Sequence, residues 1–80
     1  MERGRVIRNM FNGRYAIYLG TTASGMASVC QINWASIGRP VRGSRTTWRR
    51  DSFELAPLEW CEETDLLEQW AMQVAEDIGG

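Results

Sequence analysis

Arginine is the residue type with the most chemistry to offer in this chain. Arg39, Arg42 and Arg45 fall in the run from Gly38 to Arg45, and Arg49 and Arg50 lie just beyond. A guanidinium is planar, always charged, and presents paired donors that match a phosphate or a carboxylate. Trp48 lies in the same stretch, and Trp34, Trp60, Trp70, Tyr15 and Tyr18 add further aromatic rings. Arginine interleaved with aromatics suits single-stranded nucleic acid, where phosphates are neutralised and bases stack. Core packing is the competing use for these rings, because a small domain needs its large side chains inside. Trp48 stands apart, since it alternates with Arg50 and Glu54 on a face expected to be polar.

Carboxylates form the second candidate set. Glu59, Glu62, Glu63, Asp65 and Glu68 crowd around a predicted helix entry, where the positive end of the dipole favours anions. Glu76 and Asp77 lie near its other end, where each opposes the dipole by about 0.3–1 kcal/mol when exposed. Compensation is expected there, either from an arginine of the same chain or from an external basic surface. Carboxylates along a helix can imitate the charge spacing of a nucleic-acid backbone; the plainer reading is a solvated face.

These two sets divide the chain. All nine arginines lie in residues 1–50, opposed there only by Glu2, and nine acids with no cation follow from Asp51 onward. The net charge of −1 conceals two strongly charged parts, and steering depends on such local potential rather than on the total. The two parts either pair with each other or face outward.

The missing residue types exclude much. The sequence has no His and no Lys, so neither a Ser-His-Asp triad nor a Schiff-base lysine can be assembled. The run from Gly20 to Gly25 lacks the lysine of a phosphate-binding loop and reads as a connection. Cys30 and Cys61 are too few for a structural zinc site without histidine. No enzyme activity, metal or cofactor is expected. No secretory signal and no membrane-spanning stretch is read, so the expected setting is a bacterial cytoplasm with two free thiols. The oligomeric state is left open.

The elements that must position these residues follow from the alternation of apolar and polar positions. Residues 1–80 read as a single domain, with a β-rich part over about 3–61 and a helix over about 64–78. A first strand over Arg5–Phe11 leads through Asn12-Gly13, a two-residue hairpin signal, to a return strand over Arg14–Leu19. There Tyr15, Ile17 and Leu19 share one face, and Ala16 and Tyr18 the other. A third strand spans Ala27–Trp34, with Cys30, Ile32 and Trp34 on one face. A mobile connection over Ala35–Thr46 carries Arg39, Arg42 and Arg45, and a fourth strand is expected over Thr47–Leu55. Leu58–Cys61 is either a turn or a short fifth strand. Thr64 is the expected N-cap of the helix, whose stripe of Leu67, Trp70, Ala71, Val74 and Ile78 faces the sheet, with Gly79 and Gly80 as its stop.

The expected fold is α+β: a small antiparallel curled sheet or SH3-like barrel of four to five strands with one C-terminal α-helix. The hairpin, the glycine-rich connections and the Trp48–Leu55 segment resemble SH3-type small barrels such as Tudor or KOW modules over about Arg3–Trp60. In size, arginine-only basicity and absence of catalytic residues the chain also resembles, in type rather than in motif, the small anti-CRISPR proteins of phages. That second resemblance implies an inhibitor whose acidic surface occludes the DNA- or partner-binding surface of a CRISPR-type complex. Its contact set would be Glu59, Glu62, Glu63, Asp65, Glu68, Glu76 and Asp77. The alternative is a small-barrel module binding nucleic acid through Arg39, Arg42, Arg45, Trp48, Arg49 and Arg50.

Overall fold

The computed structural model describes residues 1–79. Five strands, β1 (Val6–Asn9), β2 (Tyr15–Thr21), β3 (Ala27–Trp34), β4 (Pro40–Trp48) and β5 (Phe53–Leu55), precede one helix, α1 (Glu62–Gly79). They form one antiparallel sheet in the order β4-β3-β2-β1-β5. A small α+β fold with an open, curled sheet results.

The curl follows from connectivity. β4 and β5 are the two edges, yet only residues 49–52 join them. A flat five-stranded sheet would hold its edges about 19 Å apart. Here Trp48 at the end of β4 and Phe53 at the start of β5 have ring centroids 6.4 Å apart, and Tyr18 of β2 lies 6.2 Å from Phe53. Bulges supply extra twist. In β2, Leu19 is the extra residue between the pairs Tyr18–Val29 and Gly20–Ser28.

Alternation along each strand builds a core on both faces. On one, Val6, Ile17, Leu19, Cys30 and Ile32 meet Ala71, Val74 and Ala75 of α1, with Leu67, Trp70 and Ile78 packed at the margin. The predicted stripe is therefore the buried one, with Ala75 added to it. On the other face Ile7, Ala16, Ala27 and Val29 are covered by Tyr18, Trp48 and Phe53 rather than by a helix. The assigned faces of β2 and β3 agree with this division.

Several expectations are corrected. β1 ends at Asn9, and the hairpin connection is residues 10–14 rather than a two-residue turn. Asn12 does not adopt positive φ, which a type I′ turn would require; only Gly13 does, at 73°. Asn9 organises the loop instead, its Oδ1 accepting from the backbone N–H groups of Phe11 (2.9 Å) and Asn12 (3.2 Å). The expected mobile arginine loop is mostly strand, because β4 begins at Pro40 and pairs along β3. The expected strand over Thr47–Leu55 is broken at residues 49–52, where the Ser52 N–H and hydroxyl both donate to the Arg49 carbonyl, at 3.0 and 2.7 Å. That break resets the alternation, so Trp48 and Phe53 fall on the same face.

Thr64 is not the N-cap either. Cys61 precedes the first helical residue, and Thr64 reaches back so that its Oγ1 accepts from the Cys61 N–H at 2.9 Å. This is the reciprocal half of a capping box, with threonine in the place usually held by Glu or Gln. Leu58–Cys61 is irregular, and the fifth strand lies upstream of it. Helix extends through Gly79, while Gly80, the other expected stop residue, lies outside the described residues.

Candidate functional site: the β4 edge and its groove

Arg42 and Arg45 are three residues apart, and on a regular strand an odd spacing sends side chains to opposite faces. Their pairing partners show otherwise. Arg42 stands opposite Ile32 and Arg45 opposite Cys30, both members of the helix-side cluster. Gly43 and Ser44 together oppose the single residue Gln31, which is a β-bulge. The extra residue restores the phase, so both arginines lie on one face of the edge strand, beyond the part of that face which α1 covers. Glycine is needed at the bulge, because a Cβ at position 43 would sit 2.7 Å from the Gln31 carbonyl oxygen.

The same face continues toward Trp34, which pairs with Pro40 at the far end of the β3–β4 ladder. Trp34 is 51 % exposed and meets Tyr15 edge-on, with centroids 6.4 Å apart and planes at 84°. Between this pair and the first turns of α1 runs a groove of about 710 Å³. Tyr15, Trp34, Trp70 and Leu67 form its apolar walls, with Arg39 on the β4 side and Glu63 on the helix side. Arg39, Arg42 and Arg45 are all exposed, so a row of three cations leads out of an aromatic groove.

Arg49 and Arg50 do not join the row. They occupy the turn between β4 and β5, where Arg49 pairs with Asp51 at 3.5 Å with both side chains largely exposed. Trp48, expected to be an exposed ring, is half-buried in the second cluster. Trp34, which alternation places beside Cys30 and Ile32 on a core face, is half-exposed, and Trp60 before the helix is more exposed still. The available signal for Trp34 was its place as the last residue of a strand, directly before the polar turn.

Of the predicted acidic set, Glu62, Glu63, Asp65, Glu68, Glu76 and Asp77 are all on α1 and exposed, and Glu59 is exposed on the segment before it. Glu63 is held below the ordinary glutamate value of 4.5, first by its own backbone N–H and second by the Cys61 side chain. Asp65 and Asp77 accept from Gln69 and Gln73, at 2.9 and 3.1 Å. At the helix C-terminus the compensation falls on the dipole, with no ion pair to Glu76 or Asp77 among the described residues. Arg3 donates to the Ala75 carbonyl at 3.0 Å and also to the Leu19 carbonyl, setting a guanidinium against the negative end of the dipole.

Internal pairing does not consume the two charged parts. Among the described residues the ion pairs are Arg8–Glu54 (3.7 Å) and Arg49–Asp51. Neither involves the β4 row or an acid of α1. Cys30 is buried and Cys61 partly so, and both are free thiols. No helix among the described residues is long and apolar enough to cross a membrane, and no group of three His, Cys, Asp or Glu there could hold a metal ion. Set beside known proteins, the chain matches no family model, no curated protein and no solved structure.

Proposed function

We propose that this protein is a non-enzymatic module that binds single-stranded nucleic acid along β4, through Arg39, Arg42, Arg45 and the exposed ring of Trp34. The observation that carries this reading is the bulge at Gly43, which spends a backbone irregularity on keeping Arg42 and Arg45 in phase. A stack of arginines on one strand face repels itself, so an anionic partner is the simplest reason to maintain it. Guanidinium groups take phosphates in bidentate fashion, while an aromatic face accepts any base. The acidic outer face of α1 repels the same backbone and confines its path to the sheet edge. The strand order and the short β4–β5 turn support kinship with SH3-like small barrels of the Tudor or KOW type. Absent His and Lys, and carboxylates that are exposed rather than enclosed, support a binding role over catalysis. Two free thiols support a reducing, cytoplasmic setting.

A second reading keeps the acidic surface as the working part. It is favoured by the exposure of Glu62, Glu63, Asp65 and Glu68 on α1 with no arginine paired to them among the described residues. In this reading the protein is a phage-type inhibitor of the anti-CRISPR kind, laying α1 into the basic channel of a nucleic-acid-handling complex.

One pair of variants separates the readings. Fluorescence anisotropy with single-stranded 12-mers of DNA and RNA, at several salt concentrations, is expected to show binding that weakens steeply as salt rises. Arg42→Ala with Arg45→Ala should lower affinity and flatten the salt slope by about two ions, one per phosphate contact removed. Reversal of Glu62 and Glu68 to Arg should leave that binding intact or strengthen it. Absence of binding to any free nucleic acid, with capture of a basic complex that the reversal abolishes, would instead establish the inhibitor.

A further inference from the structure

We infer that the groove between Trp34 and α1 is a base-reading pocket that takes one unstacked guanine of the bound strand, with Glu63 accepting hydrogen bonds from its Watson–Crick edge. The inference rests on the nucleic-acid reading of the β4 row and adds to it a sequence preference and a selection for single strands.

Placement is the first argument. The groove opens where the arginine row ends, and Arg39 lines it, so a backbone tracked by Arg42 and Arg45 would pass its mouth. Its volume of about 710 Å³ lies in the range of small-ligand sites, about 300–1,000 Å³. Three of its wall residues, Tyr15, Trp34 and Trp70, carry rings. Tyr15 and Trp34 meet edge-to-face, which sets one ring's edge against a single face of the other and leaves the remaining ring faces clear of that contact, and half of the Trp34 surface is open. Such a face stacks on a base that has left its own stack, which a duplex does not offer without unpairing.

Glu63 is the second argument, because it is the odd member of the wall. A carboxylate beside a path for phosphates is repulsive unless it meets donors. Ionised, it can only accept, through two oxygens with room for about four hydrogen bonds. Guanine alone among the common bases offers two adjacent donors, N1–H and the N2 amino group, to match both oxygens at once. Adenine and cytosine each offer one amino group beside an acceptor, and thymine or uracil sets its single N3–H between two carbonyls. Its own backbone N–H and the Cys61 thiol favour the charged form and take part of that acceptor capacity, which leaves room for one further pair of donors.

The test uses 12-mers of thymidine carrying a single central dG, dA, dC or dT, with the uridine series in parallel. Anisotropy and quenching of tryptophan emission are read together. The dG oligomer is expected to bind about tenfold tighter than all-thymidine, as one bidentate contact would give, with stronger quenching. Glu63→Gln should reduce that preference to the level of dA without loss of the shared affinity. Trp34→Ala should remove the preference and much of the quenching, and Trp34→Phe should restore part of both. Equal affinity for dG and dT oligomers, with salt-dependent binding intact, would overturn the pocket while leaving the β4 reading standing. Duplex binding as tight as single-strand binding would overturn it too. Failure of every oligomer to bind would remove the β4 reading itself.

Discussion

The acids of α1 and the arginines of β4 are both exposed and both aligned, but their alignment rests on different physics. On α1 it follows from the 3.6-residue repeat: burying Ala71, Val74 and Ala75 leaves Glu68, Gln69, Gln73, Glu76 and Asp77 outside. Any polar residue on that outer arc would serve, and the geometry would persist. On β4 the regular two-residue repeat would separate Arg42 from Arg45, and one bulge brings them together. The helix surface is therefore tolerant in detail and depends on its packed inner side. The strand surface is well anchored to β3 and depends on a single glycine.

The largest effect is expected where α1 is anchored. Trp70 packs at the margin of the helix-side cluster and also walls the groove. Trp70→Ala should cost about 2–4 kcal/mol in urea unfolding, at or below the range for buried Trp because the ring is only partly covered. Gln73→Ala, which gives up one exposed contact to Asp77, should cost about 0.5 kcal/mol at most. Equal losses from the two variants would break the distinction between an anchored face and a tolerant one. Gly43→Ala comes next. Its new Cβ must displace the Gln31 carbonyl or the Asn33 side chain, at 2.7 and 3.0 Å, at an overpacking cost of about 1–3 kcal/mol. It should also flatten the salt dependence of nucleic-acid binding while both arginines remain. Unchanged stability and an unchanged salt slope would show that the bulge is dispensable.

The same contrast explains what could be read from residue order. The helix face was legible because period and burial coincide over Leu67, Trp70, Ala71, Val74 and Ile78. The faces of β2 and β3 were legible for the same reason. β4 was hidden, since Gly38, Pro40, Gly43 and Ser44 are local signals for a connection. Pairing with β3 overrode them, as tertiary context does with β propensity. The bulge erased the alternation that would have betrayed the strand. Trp48 packs in the second cluster with Phe53 because the turn at residues 49–52 interrupts the strand expected over Thr47–Leu55 and resets its alternation. The groove was beyond reach of sequence, because Tyr15, Trp34 and the pair Glu63 and Trp70 come from three separate elements, β2, β3 and α1. The excess of negative charge at the end of α1 was legible, whereas the hydrogen bonds of Arg3 to the Ala75 and Leu19 carbonyls were not.

Arg3 gives a smaller test of the same division. It holds the end of α1 to β2 through the Ala75 and Leu19 carbonyls and sets a positive charge near the negative end of the dipole. Arg3→Ala should lower stability by about 1–2 kcal/mol at low salt, the scale of hydrogen bonds from a charged donor with a dipole contribution. Replacing Glu76 and Asp77 by Gln and Asn in that background should return a few tenths of a kcal/mol each. Thermal unfolding at two salt concentrations measures both. No recovery on neutralising the acids would mean that Arg3 acts through its hydrogen bonds alone.

The smallest expected effect lies at the other end of α1, and pH separates the two regions there. Glu63 titrates below 4.5 in the folded protein, through its own backbone N–H first and Cys61 second. A depressed folded value means that the unfolded chain takes up the proton more readily. The contribution is therefore complete above the unfolded value and present at neutral pH. It declines as pH falls through 4.5 and is lost once pH drops below the folded value. Side-chain carboxyl NMR should place the Glu63 midpoint below 4.5, and Cys61→Ala should move it part of the way back. Glu63→Gln should remove its share of the acid-side loss of stability, a small share because the group is fully exposed. A guanidinium does not change its charge over an acid titration. Binding through the row should thus persist as the Glu63 preference for guanine fades on acidification. A guanine preference unchanged at a pH where Glu63 is protonated would detach that residue from base reading, whatever its role at the helix entry.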